Sequence, residues 1–121
     1  MNIVTKLLTY QNQAKILHWQ TTSFSQHEAL GELYDSFNEK IDSFLEVFMG
    51  KYGRVVAQDS FKLTLENYSN LQPQLFMNDI ENYLINELPT MLDSKKDTDL
   101  LNIRDEMLAS VNKTKYLLTL K

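Results

Sequence analysis

Residues 17–46 read LHWQTTSFSQHEALGELYDSFNEKIDSFLE. Within this stretch Leu30, Leu33, Phe37, Ile41 and Phe44 recur every three or four positions, Leu45 stands beside Phe44, and Phe48 continues the series. That spacing lines one side of a 3.6-residue helix with apolar groups. It predicts a long amphipathic helix from about Gln26 to Tyr52, with Ser25 as its N-cap and Gly50 and Gly53 as stop signals. Upstream, the polar run Gln20, Thr21, Thr22 and Ser23 ends a first helix predicted over residues 2–20, whose buried face is Ile3, Leu7, Tyr10, Ala14 and Leu17.

Outward from there, Pro73 opens a third helix, since proline suits a first helical position. Its face is Phe76, Ile80, Tyr83, Leu84, Leu88 and Met91, and Pro89 must kink or end it. A fourth helix runs from about Asp97 to Leu120, capped by Asp97, Thr98 or Asp99 and striped by Leu100, Ile103, Met107, Val111 and Leu118. Between the second and third helices, FKLTLENYSNL (61–71) reads as a short connecting helix inside a longer crossover. These features predict an all-α fold, a four-helix bundle of one domain over residues 1–121. A long crossover between the second and third helices makes them parallel, which is the ferritin-like arrangement.

Composition narrows the function. The chain has 121 residues, a formal charge of −4 and no cysteine. Thiolate metal sites, disulfides and cysteine nucleophiles are excluded, and a reducing, cytoplasmic compartment is expected. The first residues carry no signal-peptide pattern, and no stretch approaches the roughly 20 apolar residues of a membrane span. An acidic chain with scattered lysines and no basic arm disfavours direct DNA binding.

The candidate site lies in the same stretch. His18 and His27 are the only two histidines. Asp42 and Glu46 stand four apart on the second helix, so their carboxylates project side by side. Asp35, Gly31 and Met49 share that face, roughly 120° from the centre of the apolar stripe, a flank suited to a subunit interface. Imidazole and carboxylate together suit iron, and manganese or zinc as well. A dinuclear carboxylate centre inside one bundle needs Glu-x-x-His on two helices. Here His18 follows Lys15 by three and His27 follows Phe24 by three, and the third and fourth helices have no histidine. A centre shared between two subunits is therefore expected, with the bend of one chain against the second helix of the other.

These residues resemble the DNA-protection-during-starvation (Dps) proteins, or mini-ferritins. That family's pattern is a His-Trp pair ending the first helix, a polar loop, and a His-Glu pair opening the second. An Asp and a Glu follow fifteen and nineteen residues after the second histidine. His18-Trp19, His27-Glu28, Asp42 and Glu46 satisfy it, and Leu33-Tyr34, Phe37 and Glu39 also match. The resemblance implies a ferroxidase: Fe(II) held by His18 and His27 of one subunit and the acidic pair of another, oxidised by oxygen or peroxide, and stored in a twelve-subunit shell. It also implies that Trp19 stands near the metal as an electron donor. By side-chain type alone, Trp19 is expected to pack at the bend. Glu28, Glu39 or backbone carbonyls are expected to hold the imidazole tautomers.

The chain departs from the family in three ways. The His18–His27 gap is shorter by about three residues. An acid common four positions after the second histidine is Gly31, with Glu32 or Asp35 as substitutes. The chain is also short, like divergent mini-ferritin-like proteins of the kind phages encode, for which host cytoplasm is the expected location. A non-catalytic helical dimer that recruits a protein partner is the other function class. Tyr34, Tyr52, Tyr68, Tyr83 and Tyr116 are expected on bundle faces, the methionines as filler, and Arg104-Asp105-Glu106 as exposed charge.

Overall fold

The computed structural model describes residues 2–121. Asn2 begins it by capping α1 (Ile3–Gln20), its Oδ1 accepting the Thr5 N–H at 2.8 Å. All five residues of the expected α1 face are buried. α2 (Phe24–Tyr52) follows after only Thr21, Thr22 and Ser23, so it must run antiparallel to α1. Its N-cap is Ser23, whose Oγ accepts from the Gln26 N–H at 3.3 Å; Ser25 lies inside the first turn. The expected cap was two residues late because Phe24, although 77% exposed, is already helical. At the other end Gly53, with φ 84°, stops α2, while Gly50 is an ordinary helical residue.

The crossover, residues 53–72, holds no helix, contrary to expectation for 61–71. Its backbone groups are taken by glutamine side chains instead. Gln13 donates to the Glu66 carbonyl at 2.9 Å and accepts from the Glu66 N–H at 2.6 Å. Gln20 accepts from the Tyr68 N–H at 2.7 Å, and the Tyr68 hydroxyl donates to Gln26 at 2.9 Å. The chain thus returns along the bundle to the α1–α2 bend before α3 (Pro73–Asn82) begins.

α3 opens with Pro73 as expected and then distorts. It passes into a π-turn over Tyr83–Glu87 and a 3-10 turn over Leu88–Met91. The cause is Pro89. The Leu88 N–H bonds the Tyr83 carbonyl, and the next rung of that ladder needs an N–H that proline lacks. The Leu84 carbonyl so freed accepts from Arg104 Nη1 at 2.9 Å. Arg104 is therefore a structural partner of a broken helix, where exposed charge was expected. Met91, past the break, is 47% exposed and leaves the expected face.

α4 (Thr98–Leu117) runs back beside both α2 and α3. Ser36–Ser110, Lys40–Glu106 and Lys113–Glu32 contacts show it antiparallel to α2, and a Lys115–Glu81 pair joins it to α3. Asp97 precedes α4 without capping it. Its buried carboxylate instead accepts from the Tyr52 hydroxyl at 2.5 and 2.7 Å, from the Asp93 N–H at 2.7 Å and from Lys51 at 3.2 Å. The result is an all-helical bundle around one core, centred on Phe37, Phe44, Phe76, Leu33, Met77 and Met107. Among the described residues there is no strand, and no helix is long and apolar enough to cross a membrane.

Candidate metal centre

The three-residue bend folds the last turn of α1 against the first turn of α2. His18 and His27 therefore meet, with ring centroids 3.8 Å apart and planes tilted by 17°. Each ring reaches the other residue's backbone: His18 Nδ1 lies 2.6 Å from the His27 carbonyl, and His27 Nδ1 lies 2.9 Å from the His18 carbonyl. A carbonyl oxygen can only accept, so each Nδ1 carries a proton, and the nitrogen left to offer a lone pair to a metal is Nε2. The His18 carbonyl belongs to the last turn of α1, where helical acceptors have no partner of their own. Of the three candidate tautomer-fixing groups, backbone carbonyls occupy the place.

Stacking limits what the pair can hold. A metal bonds an imidazole nitrogen near the ring plane at about 2.1 Å. Stacked rings with centroids 3.8 Å apart and planes tilted by only 17° do not aim their in-plane lone pairs at one point within that reach. As placed, each histidine offers its lone pair to a separate ion, and no one cation satisfies both.

Gly31 makes the stacking possible. A Cβ there would stand 2.9 Å from His18 Cε1 and 3.1 Å from His18 Nδ1. The His18 ring fills the space that a side chain at this position would need. Nothing in the local sequence pattern reveals this packing, because Gly31 and His18 lie on different helices.

Around the pair lies an open cleft of about 350 Å³, lined by Lys15, His18, His27, Glu28, Gly31, Glu32 and Asp35. Glu32 is committed to Lys113 at 2.6 Å. The Lys15 ammonium sits over two aromatic faces, 4.3 Å from the Tyr34 centroid and 5.5 Å from that of Trp19. Trp19 is 65% exposed, so the packing role expected from its size fails within this chain; it stands on the surface beside His18.

Asp42 and Glu46 are exposed on α2 and make no ion pair among the described residues. Along the helix axis Asp42 is roughly 22 Å from His27 at 1.5 Å per residue. The fold thus brings the two histidines together and keeps the acidic pair far away. Among the described residues no group of three or more histidines and carboxylates is placed to hold a metal ion.

A second groove of about 320 Å³ runs between α1, the crossover and α3, with Lys6, Tyr10, Gln13, Asp79 and Glu87 on its walls. Burial, then the charges of Asp79 and Glu87, holds the Tyr10 hydroxyl well above the usual phenol range. Burial and Glu87 push Tyr83 up to about 12. Both remain phenols near neutral pH and offer no phenolate ligand.

A family model described as a family of unknown function (DUF5856) matches residues 18–118, beginning at His18. No curated protein and no solved structure matches.

Proposed function

We propose that this chain, which belongs to the DUF5856 family, is a Dps-like, ferritin-like iron-binding protein with a ferroxidase centre shared between two subunits. The observation that carries the reading is the reciprocal histidine–carbonyl pairing. It leaves two Nε2 acceptors fixed in an open cleft, while an unpaired acidic couple stands exposed further along the same helix. A twofold axis crossing α2 between these two patches sets each against the other, and does so twice. The ferritin-like part of the reading is supported by helix direction: α1 antiparallel to α2, a crossover that returns to the bend, and α3 and α4 antiparallel to each other.

In this dimer His18 and His27 of one subunit, with Asp42 and Glu46 of the partner subunit, receive Fe(II) as substrate. Separate imidazoles for separate ions suit a two-electron oxidant: two Fe(II) each give one electron to peroxide, which takes up two protons and leaves as two waters. The carboxylates hold the ferric product by charge. Trp19, exposed beside His18, is the available donor for stray oxidising equivalents. Storage in a larger shell is the further extension of this reading, and manganese or zinc suit the same ligands.

The specific observation favouring a second reading is the cleft itself. Gly31 supplies no carboxylate, and Lys15 adds a positive charge. On that reading the dimer is a structural or protein-recruiting module without iron chemistry. Anaerobic Fe(II) titration followed by peroxide separates the two. Saturable binding and rapid ferric absorbance, both lost in Asp42→Ala with the helical spectrum retained, are expected. Binding unchanged by Asp42→Ala and Glu46→Ala rejects the shared centre.

A further inference from the structure

Among the residues lining the histidine cleft, Lys15 is the sole cation, since Lys113 lies outside that lining and is engaged with Glu32. Lys15 pairs with no carboxylate among the described residues. Only the ring faces of Tyr34 and Trp19 hold its ammonium. Cation–π contact at an open site is weak, so the charge is free to turn toward a better partner. The cleft already carries Glu28 and Asp35. An acidic pair approaching from a second copy adds two more negative charges to that cleft. Without a cation that approach is repulsive.

We propose that Lys15 is a tethered counter-ion that regulates this centre, an inference that rests on the shared-site reading. In the metal-free dimer its ammonium neutralises Asp42 and Glu46 of the partner subunit. When a divalent ion enters, the carboxylates turn to the ion, and Lys15 withdraws to its aromatic wall. Lys15 therefore steadies the empty interface and competes with the metal, raising the metal concentration at which the centre fills.

The probe is Co(II), titrated into the full-length protein and followed by calorimetry and its visible absorbance. Dimer dissociation of the metal-free protein is measured in parallel by sedimentation. Lys15→Met keeps the apolar stem and removes the charge; Lys15→Arg keeps the charge. One neighbouring charge in a water-exposed pair corresponds to about a fivefold effect. Lys15→Met is expected to bind Co(II) about fivefold tighter at each site and, because the twofold dimer makes the contact twice, to dissociate about 25-fold more readily when metal-free. Both differences should shrink at high salt, and Lys15→Arg should stay near the wild type. If Lys15→Met matches the wild type in both measurements while His18→Ala and Asp42→Ala abolish Co(II) binding, the counter-ion role is wrong and the shared centre stands. If the wild type itself binds no Co(II), both fall.

Discussion

Gly31 and Gly50 lie in the same helix and ask opposite things of a methyl group. At Gly50 an added Cβ meets nothing within 4 Å; at Gly31 it meets the His18 ring at 2.9 Å. In a helix interior alanine is favoured over glycine by about 0.8–1 kcal/mol. Gly50→Ala is therefore expected to raise unfolding stability by up to about 1 kcal/mol. Gly31→Ala forfeits that gain, because the ring is held by a stack and a hydrogen bond and cannot swing aside freely. Urea denaturation of the two variants checks the contrast, and histidine nitrogen NMR checks its cause. Gly31→Ala should disturb the Nδ1-protonated form of His18, and Gly50→Ala should leave it alone. A Gly31→Ala variant as stabilised as Gly50→Ala, with unaltered histidine signals, contradicts the packing account. The histidines as candidate ligands are readable from residue type and spacing. Their stack is not, because it depends on a missing side chain across a helix pair. Nor does sequence place Trp19, whose exposure is set by how closely the bend closes.

At the scale of elements, the helices are legible wherever burial follows the 3.6-residue period, as in α1, α2 and α4. Residues 61–71 carry a similar apolar spacing and are not helical, because Gln13, Gln20 and Gln26 capture that segment from other helices. Local pattern cannot report a partner some fifty positions away. The junction of α2 with α4 shows the same dependence. Hydrogen bonding by Tyr52 first, and by the Asp93 N–H next, holds the Asp97 carboxyl below the usual carboxylate range. A carboxyl lowered in the folded state stabilises the fold above its unfolded value, near 3.9, and that contribution is lost as pH falls through the folded value. Asp99, lowered chiefly by Lys51, and Asp93, lowered by the Lys96 and Lys95 N–H groups, act in the same direction. Tyr52→Phe should therefore lower the urea midpoint at pH 7, and the difference from wild type should narrow toward pH 2. A difference that is constant with pH would mean that the Tyr52 hydroxyl contributes without its bonds to the Asp97 carboxylate, since phenylalanine keeps the ring on Phe48.

For the whole molecule, the decisive property is that one chain cannot bring its histidine pair and its acidic pair together. His27 and Asp42 stay roughly 22 Å apart because a rigid helix joins them, and no bending of the cleft shortens that span. If metal binds at all through both patches, it binds across two chains. This has a consequence that neither patch has alone. His18→Ala and Asp42→Ala should each lose metal binding as separate proteins. Mixed in equal amounts under conditions that let subunits exchange, half of the dimers carry one chain of each kind. In such a dimer one of the two sites is doubly defective. The other combines the intact histidines of the Asp42→Ala chain with the intact acids of the His18→Ala chain. By twofold symmetry about one quarter of the wild-type Co(II) capacity should return. A centre confined to one chain, completed for instance by Glu28 or Asp35 in the cleft, predicts either no loss in Asp42→Ala or no recovery on mixing. Recovery of binding from two inactive proteins requires the shared centre, and its absence, with exchange verified by mass-labelled subunits, excludes it.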